Sequence, residues 1–261
     1  MSYDLRLGRY QDVLADVTCD AVIVDAPYSA KTHAGHDSGA GVPLTAKKRG
    51  GYKRSDGKMD TKTERRSIGY GFWTPDDVRE FVAFWAPRTR GWFVTITDDV
   101  LAPEWGSELH KHGRYVFAPL PFVAPGSRVR MAGDGPSNWT CWIVVARPRV
   151  EDFFRWGTLP GAYVLPAGHF ERMDVVGGKP SWLMRALVRD YTRPGDLVCD
   201  PCAGGGTTLL AALQTGRRAV GAEVDPETHK KASDRLERTP VTLDWLDTPE
   251  VPTRPVGLFD S

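Results

Sequence analysis

Thirteen residues, 196–208 (Asp-Leu-Val-Cys-Asp-Pro-Cys-Ala-Gly-Gly-Gly-Thr-Thr), limit what this chain can fold into more than any other stretch. After the turn signal Pro194-Gly195, the apolar pair Leu197-Val198 begins a short buried strand that ends on Asp200. Three glycines follow at 204–206. Thr207-Thr208 then opens a helix whose apolar positions Leu209, Leu210, Ala212 and Leu213 recur at helical spacing, and Gly216 closes it. A strand, a glycine turn and a helix N-terminus bring free backbone N–H groups and the positive end of a helix dipole to one place. That arrangement suits an anionic ligand group and belongs to doubly wound α/β sheets.

The turn is not a dinucleotide fingerprint, because Leu209 stands where a third glycine is needed. A second polar anchor, Glu223, ends the next apolar strand, Ala219-Val220-Gly221-Ala222. It falls about 20 residues on, where such folds hold a ribose-binding carboxylate. The string DPCAGGGTT followed by GAEVD resembles the D-P-F-x-G-S-G-T-T and G-x-E segments of amino-methylating DNA methyltransferases, which bind S-adenosylmethionine (AdoMet). The resemblance implies cofactor contacts from Asp200, Pro201, Ala203, Gly204, Gly205, Gly206, Thr207, Thr208 and Glu223. It adds Lys179 and Pro180 more weakly, since only that pair matches the family segment lining the methionine end of AdoMet.

A second chemical stretch lies near the N-terminus. Ala21-Val22-Ile23-Val24 has the composition of a central parallel strand and ends on Asp25-Ala26-Pro27-Tyr28. This tetrapeptide is similar to the D-P-P-Y catalytic motif of the same family, with alanine at its second position. By resemblance, the Asp25 carboxylate and the Ala26 carbonyl hold the protons of an exocyclic amine, Pro27 stiffens the turn and Tyr28 stacks on the base. A target base cannot be reached inside a duplex and must be flipped out. Arg9 follows Gly8 where many relatives carry an acid, so no ligand role is assigned to it.

The catalytic motif precedes the cofactor motif, an order that resembles the β group of the family, a circular permutation. The implied fold is a Rossmann-like class I methyltransferase: α/β, a mostly parallel central sheet and helices on both faces. The 261 residues, 41% of them hydrophobic, suffice for one well-buried domain spanning 1–261.

Residues 29–72 are polar, glycine-rich and without period, which predicts a long loop. Lys31, Lys47, Lys48, Arg49, Lys53, Arg54, Lys58, Lys62, Arg65 and Arg66 outnumber its acids. Arg128 and Arg130 sit in a second loop, 124–138. Formal net charge is only +1, so any nucleic-acid face must come from such local excess. Lys31, Lys47, Lys48, Arg49, Lys53, Arg54, Arg65, Arg66, Arg128 and Arg130 are therefore the candidate DNA contacts.

Helices are expected from Thr74 (cap, with Pro75 next) to Pro87, over 101–112, after Lys179-Pro180, and around 228–236. Strands are expected at 92–96, 115–122 and 140–145, with no clear element over 148–178. Neither Cys199-x-x-Cys202 nor His33-x-x-His36 supplies the four convergent ligands of a structural zinc. Pro201-Cys202 sits inside the cofactor turn, which argues against the Pro-Cys nucleophile of cytosine-C5 enzymes. With no long apolar span, leader or disulfide pattern in the sequence, the expectation is a cytoplasmic enzyme with reduced thiols.

The expected reaction is methyl transfer from AdoMet to the N6 amine of a flipped adenine in double-stranded DNA, Asp at position 25 favouring adenine by family tendency. Cytosine N4 methylation is the alternative, and a catalytically inactive nucleic-acid-binding partner with the same fold is a third reading, motivated by Ala26 and Arg9. Family resemblance also makes a homodimer and a cognate restriction endonuclease plausible partners. The tail, 240–261, ends in Val256-Gly257-Leu258-Phe259. That tip resembles peptides docking on bacterial sliding clamps, but lacks their glutamine, and such tips more often pack on their own domain.

Overall fold

In a computed structural model the described residues are 2–37, 70–125, 138–150, 156–166, 171 and 177–239. The strands are β1 (Tyr3–Leu7), β2 (Ala21–Asp25), β3 (Phe93–Thr97), β4 (Arg114–Val116), β5 (Leu120–Val123), β6 (Thr140–Pro148), β7 (Tyr163–Val164), β8 (Leu197–Asp200) and β9 (Arg218–Glu223). They form one sheet in the order β1-β9-β8-β2-β3-β6-β5-β7, with β4 also pairing to β6. Pairing is parallel from β1 to β3 and antiparallel where β6 meets β3, β4 and β5.

The helices are α1 (Tyr10–Val13), α2 (Ala30–Asp37), α3 (Pro75–Trp85), α4 (Ala102–Lys111), α5 (Ser181–Tyr191), α6 (Thr207–Gln214) and α7 (Pro226–Arg238). Strand alternation divides them between two faces. On β2, Ile23 points into a layer with Leu183, Leu187, Leu209, Leu213 and Leu236 from α5, α6 and α7. Its neighbours Val22 and Val24 point the other way, into a layer with Phe81, Val82, Trp85, Trp105 and Leu109 from α3 and α4. A strand buried on both faces has to be apolar at every position, which is why Ala21–Val24 carries no polar alternation. Each such side chain contributes roughly 1.5–3 kcal/mol by leaving water.

The topology places the chemistry. From β8 the chain crosses through α6 to β9, and from β2 it crosses through α3 to β3, so the two crossovers leave in opposite directions. The crevice between the carboxyl ends of β8 and β2 is the topological switch point, where open α/β sheets bind ligands. Those two ends are Asp200 and Asp25.

Local expectations hold at several boundaries. Thr74 caps α3 in a reciprocal box: its hydroxyl accepts from the Asp77 N–H at 3.4 Å, and the Asp77 carboxylate accepts from the Thr74 N–H at 2.7 Å. Three expectations need correction. The strand expected over 115–122 is two short strands, β4 and β5, with Pro119, which has no N–H to give to a ladder, in the break between them. The loop expected to begin at residue 29 begins with a helix, α2. It has no apolar stripe to betray it and is pinned by Ser29 and Thr32 donating to Asp98 at 2.5 and 2.6 Å. Within 148–178, Tyr163–Val164 pairs in parallel with β5.

Of the candidate DNA contacts only Lys31 is among the described residues. It is exposed on α2 and paired with Asp99 at 2.9 Å. Lys47, Lys48, Arg49, Lys53, Arg54, Arg65, Arg66, Arg128 and Arg130 lie outside them, as does the tail, 240–261.

Candidate active site

A cavity of about 880 Å3 occupies the switch point, within the range of pockets that hold a drug-sized ligand. Two different walls enclose it. The first is backbone-built. Asp200 ends β8 and the chain turns through 201–206 into α6, with Gly204 at φ 50° and Gly206 at φ 73°, conformations that side chains disfavour. Gly206 does not face the cavity; a Cβ there would meet Ala232 at 3.4 Å, so this glycine lets α7 pack against the turn. Gly221 on β9 is tighter still, since an added Cβ would lie 2.8 Å from the Asp200 carbonyl oxygen.

Glu223 closes this wall. One carboxylate oxygen accepts from the Gly204 N–H at 2.9 Å and the other from the Asp225 N–H at 2.8 Å. The carboxylate is thereby fixed in orientation at the cavity lining, and each oxygen has an acceptor position beyond the bond it already accepts. Asp200 is almost fully buried. Burial pushes its carboxyl up to about 7, against hydrogen bonds from Thr208 and the Cys202 N–H that favour the charged form. From behind, Arg235 on α7 donates to the Gly205 carbonyl at 3.0 Å and the Thr207 hydroxyl at 2.9 Å.

The second wall is made of side chains from three separate segments. Asp25, at the end of β2, accepts from the Lys179 ammonium at 2.8 Å on one oxygen and from the Tyr28 hydroxyl at 3.4 Å on the other. Lys179 also donates to the Gly177 carbonyl at 3.1 Å and lies 4.8 Å from the centre of the Tyr28 ring. Burial pushes the Asp25 carboxyl above its usual range, and Lys179 opposes that shift. Burial alone would lower the Lys179 ammonium; Asp25 more than compensates and holds it charged. Tyr70, Phe72 and Trp73 continue the rim, and Tyr70 and Phe72 remain substantially exposed.

Most of the site residues expected from sequence meet in this one cavity: Asp25, Pro27, Lys179, Asp200, Pro201, Ala203, Gly204, Gly205, Thr207, Thr208 and Glu223 line it. Others stand behind it. Ala26 packs into the α3/α4 layer, Tyr28 against the α5/α6 layer, and Pro180 caps α5. Lys179, which the resemblance grouped with the methionine end of AdoMet, lines the cavity and is bonded to the Asp25 carboxylate. Arg9, given no role from sequence, lines the cavity with Gly8, Tyr10 and Gln11. Sequence reasoning also passed over the Tyr70-Gly71-Phe72-Trp73 rim, whose signal was an aromatic cluster at the end of the polar stretch.

Burial raises the Cys202 thiol well above its ordinary value, which disfavours the thiolate form a nucleophile needs. All four cysteines are free, and among the described residues no His, Cys, Asp or Glu cluster could hold a metal ion.

Residues 176–234, which carry Lys179, the glycine turn and Glu223, match the family model described as DNA methylase. Over that segment, somewhat under a quarter of the chain, the sequence is similar to this family. It is 37% identical over 59 residues to the DNA adenine methyltransferase YhdJ of Escherichia coli K12, an alignment covering 23% of this chain and 20% of the relative. The matched stretches span about a quarter or less of the curated DNA methylases in question. Likeness in fold reaches further. The crystal structure of the M1.HpyAVI–SAM complex aligns with TM-score 0.62 at 18% identity, over 90% of this chain and 98% of that one. The cytosine-N4-specific PvuII DNA methyltransferase aligns with TM-score 0.55 at 12% identity, over 90% and 86%. The fold is thus the class I methyltransferase fold, Rossmann-like, with Asp25 preceding the glycine turn as expected. Among the described residues no helix is long and apolar enough to cross a membrane.

Proposed function

We propose that this chain is an AdoMet-dependent DNA methyltransferase acting on the N6 amine of an adenine flipped out of the duplex. The observation that carries this reading is the junction of the two walls: Asp25 and the glycine turn with Glu223 face one cavity at the switch point.

The residues of the first wall fit AdoMet. The remaining acceptor positions of the oriented Glu223 carboxylate suit a pair of ribose hydroxyls. The Asp25, Asp200 and Glu223 carboxyls give the cavity the acidic lining a sulfonium ligand favours. When bound, AdoMet supplies a methyl group already activated on that sulfonium. Asp200, Ala203, Gly204, Gly205, Thr207 and Thr208 would hold it, and the glycines let the backbone approach without a Cβ.

The chain's task on the other side is to make a poor nucleophile reactive. An exocyclic amine delocalises its lone pair into the ring. The Asp25 carboxylate, accepting one amine proton, turns the lone pair out of conjugation and toward the methyl group, and afterwards receives the proton the product must lose. By resemblance to the family motif the Ala26 backbone carbonyl would accept the second proton, a role that does not depend on the side chain, although Ala26 itself packs behind the cavity. Fixed by β2 on one side and the turn on the other, these acceptors work by position. The rim of Tyr70, Phe72 and Trp73 shields the amine from water at the cavity mouth.

Adenine is preferred here because Asp occupies position 25, and YhdJ, similar over 59 residues, is by its name an adenine methyltransferase. The likeness to the PvuII enzyme keeps cytosine N4 as the second reading. Mass spectrometry of nucleosides from cells expressing the wild type or Asp25→Ala separates them. N6-methyladenine with the wild type alone supports the proposal, N4-methylcytosine overturns the base assignment, and no methylated DNA base overturns the function.

The same reading places the protein in the cytoplasm with double-stranded DNA as its partner. The basic stretch from Lys47 to Arg66, together with Arg128 and Arg130, would supply the phosphate contacts. Charge reversal at Arg128 and Arg130 should weaken DNA binding by about tenfold or more at moderate salt.

A further inference from the structure

Asp25 poses a problem for the proposed chemistry. A carboxylate can accept an amine proton only while ionised, yet this one is withdrawn from water at the base of a largely apolar mouth, and burial favours its neutral form. The groups that face it come from five places. Tyr28 lies on its own turn, Tyr70 on the rim, Cys141 on β6, and Asp200 and Cys202 at the end of β8. None of these is a cation, and Asp200, where ionised, repels a second carboxylate. The fifth place is the segment entering α5, and it contributes Lys179, whose ammonium is 2.8 Å from the Asp25 carboxylate with little exposure of either side chain.

We propose that Lys179 is a positioning residue for methyl transfer, the counter-ion that keeps Asp25 ionised and aimed at the amine, and not a ligand of the cofactor. The inference rests on the proposed function of Asp25. Three features of the geometry support it. Lys179 is itself anchored: a second donated bond, to the Gly177 carbonyl, and the Tyr28 ring beneath its ammonium fix where the charge sits. It does not block the site, because an ionised carboxylate has about four acceptor positions and the Lys179 and Tyr28 contacts take two. And Lys179 reaches Asp25 from 154 positions away in the chain, next to Pro180, which starts α5. Docking of α5 on the sheet therefore completes the catalytic carboxylate.

The test is Lys179→Met, with Lys179→Arg as the charge-conserving variant. An opposite charge at this distance typically lowers a carboxylate pKa by about 1–3 pH units. Removing it should move the acidic limb of the kcat profile upward by about one pH unit or more. Near neutral pH, kcat should fall about 10- to 100-fold, with partial recovery as pH rises. Lys179→Arg should restore most of the lost rate and the wild-type limb. AdoMet affinity, measured by calorimetry without DNA, should change less than about threefold in both variants. A readout independent of turnover is the 13C carboxyl resonance of Asp25, assigned against Asp25→Asn, whose titration midpoint should rise in Lys179→Met.

An unmoved midpoint and an equal loss of rate at every pH would overturn the counter-ion role. So would a large loss of AdoMet affinity with kcat preserved, which would return Lys179 to the cofactor. A wild-type protein that transfers no methyl group to DNA would instead sink the proposed function, and the 13C titration would still decide the pairing.

Discussion

The two walls of the cavity are built on opposite principles. The glycine-turn wall is backbone: consecutive residues 200–208, one strand further on to Glu223, and positions such as Gly221 where a single added carbon meets a carbonyl oxygen at 2.8 Å. The Asp25 wall is side chain, converging from residues 25–28, 70–73, 141 and 177–179. Backbone geometry is written into short contiguous strings, and the family-model match, residues 176–234, contains the whole of this wall and of the other only 177–179. Convergent side chains leave no comparable string. In the proposed reaction the donor would be held by the wall read from one string, and the choice of substrate would fall to the wall assembled from several.

That contrast can be broken or sharpened by substitution. The largest effect expected on the first wall is from Glu223→Ala. It removes a charged acceptor from two backbone N–H groups and from the ligand, and AdoMet affinity measured by calorimetry should fall about 100-fold. A variant that binds as tightly as the wild type would mean the carboxylate only shapes the turn.

Next is Gly221→Ala. Its Cβ would press on the Asp200 carbonyl, Leu209 and Ala203, so the protein should lose about 1–3 kcal/mol in urea unfolding. An unchanged midpoint would show that the β8–β9 pair yields more easily than a packed interior should.

Asp200 gives a smaller, pH-dependent effect. Its carboxyl is held at about 7, above the unfolded value, so its contribution to stability is present at acid pH and is lost as pH rises toward that value. A cationic ligand favours the ionised form, so AdoMet affinity should rise with pH through about 7, by up to about tenfold between pH 6 and 8. Asp200→Asn should flatten both dependences. Affinity that falls over this range would contradict the assignment.

The smallest effect is expected at the start of α3, whose Asp77 and Glu80 line the cavity but have no part in the proposed methyl transfer. Thr74→Ala, breaking the α3 capping box, should cost about 1 kcal/mol in thermal or urea unfolding and leave kcat within about twofold.

What could be read from the sequence follows the same division. The strand ending on Asp200, the helix after the glycines, the carboxylate at 223 and the α3 cap all rest on contiguous signals, and each is where it was expected. That Asp25 and Asp200 lie side by side is a consequence of β2 pairing with β8, a contact no local pattern encodes; only the motif order implied it. The contact of Lys179 with Asp25 has no local signal either: the resemblance implied a cofactor role for the Lys179-Pro180 pair, and the two residues meet from 154 positions apart. Helix α2 was missed because it is held by polar contacts to Asp98 and has no apolar stripe to reveal it.

The division of labour between the walls is tested most directly by Asp25→Asn in purified protein, with AdoMet binding and single-turnover methyl transfer to DNA measured on the same preparation. If the donor is held by one wall and the amine activated by the other, the variant binds AdoMet within about threefold of the wild type while transfer falls about 1,000-fold. Transfer that persists near the wild-type rate would contradict the role of Asp25, and loss of both together would contradict the separation of the two walls.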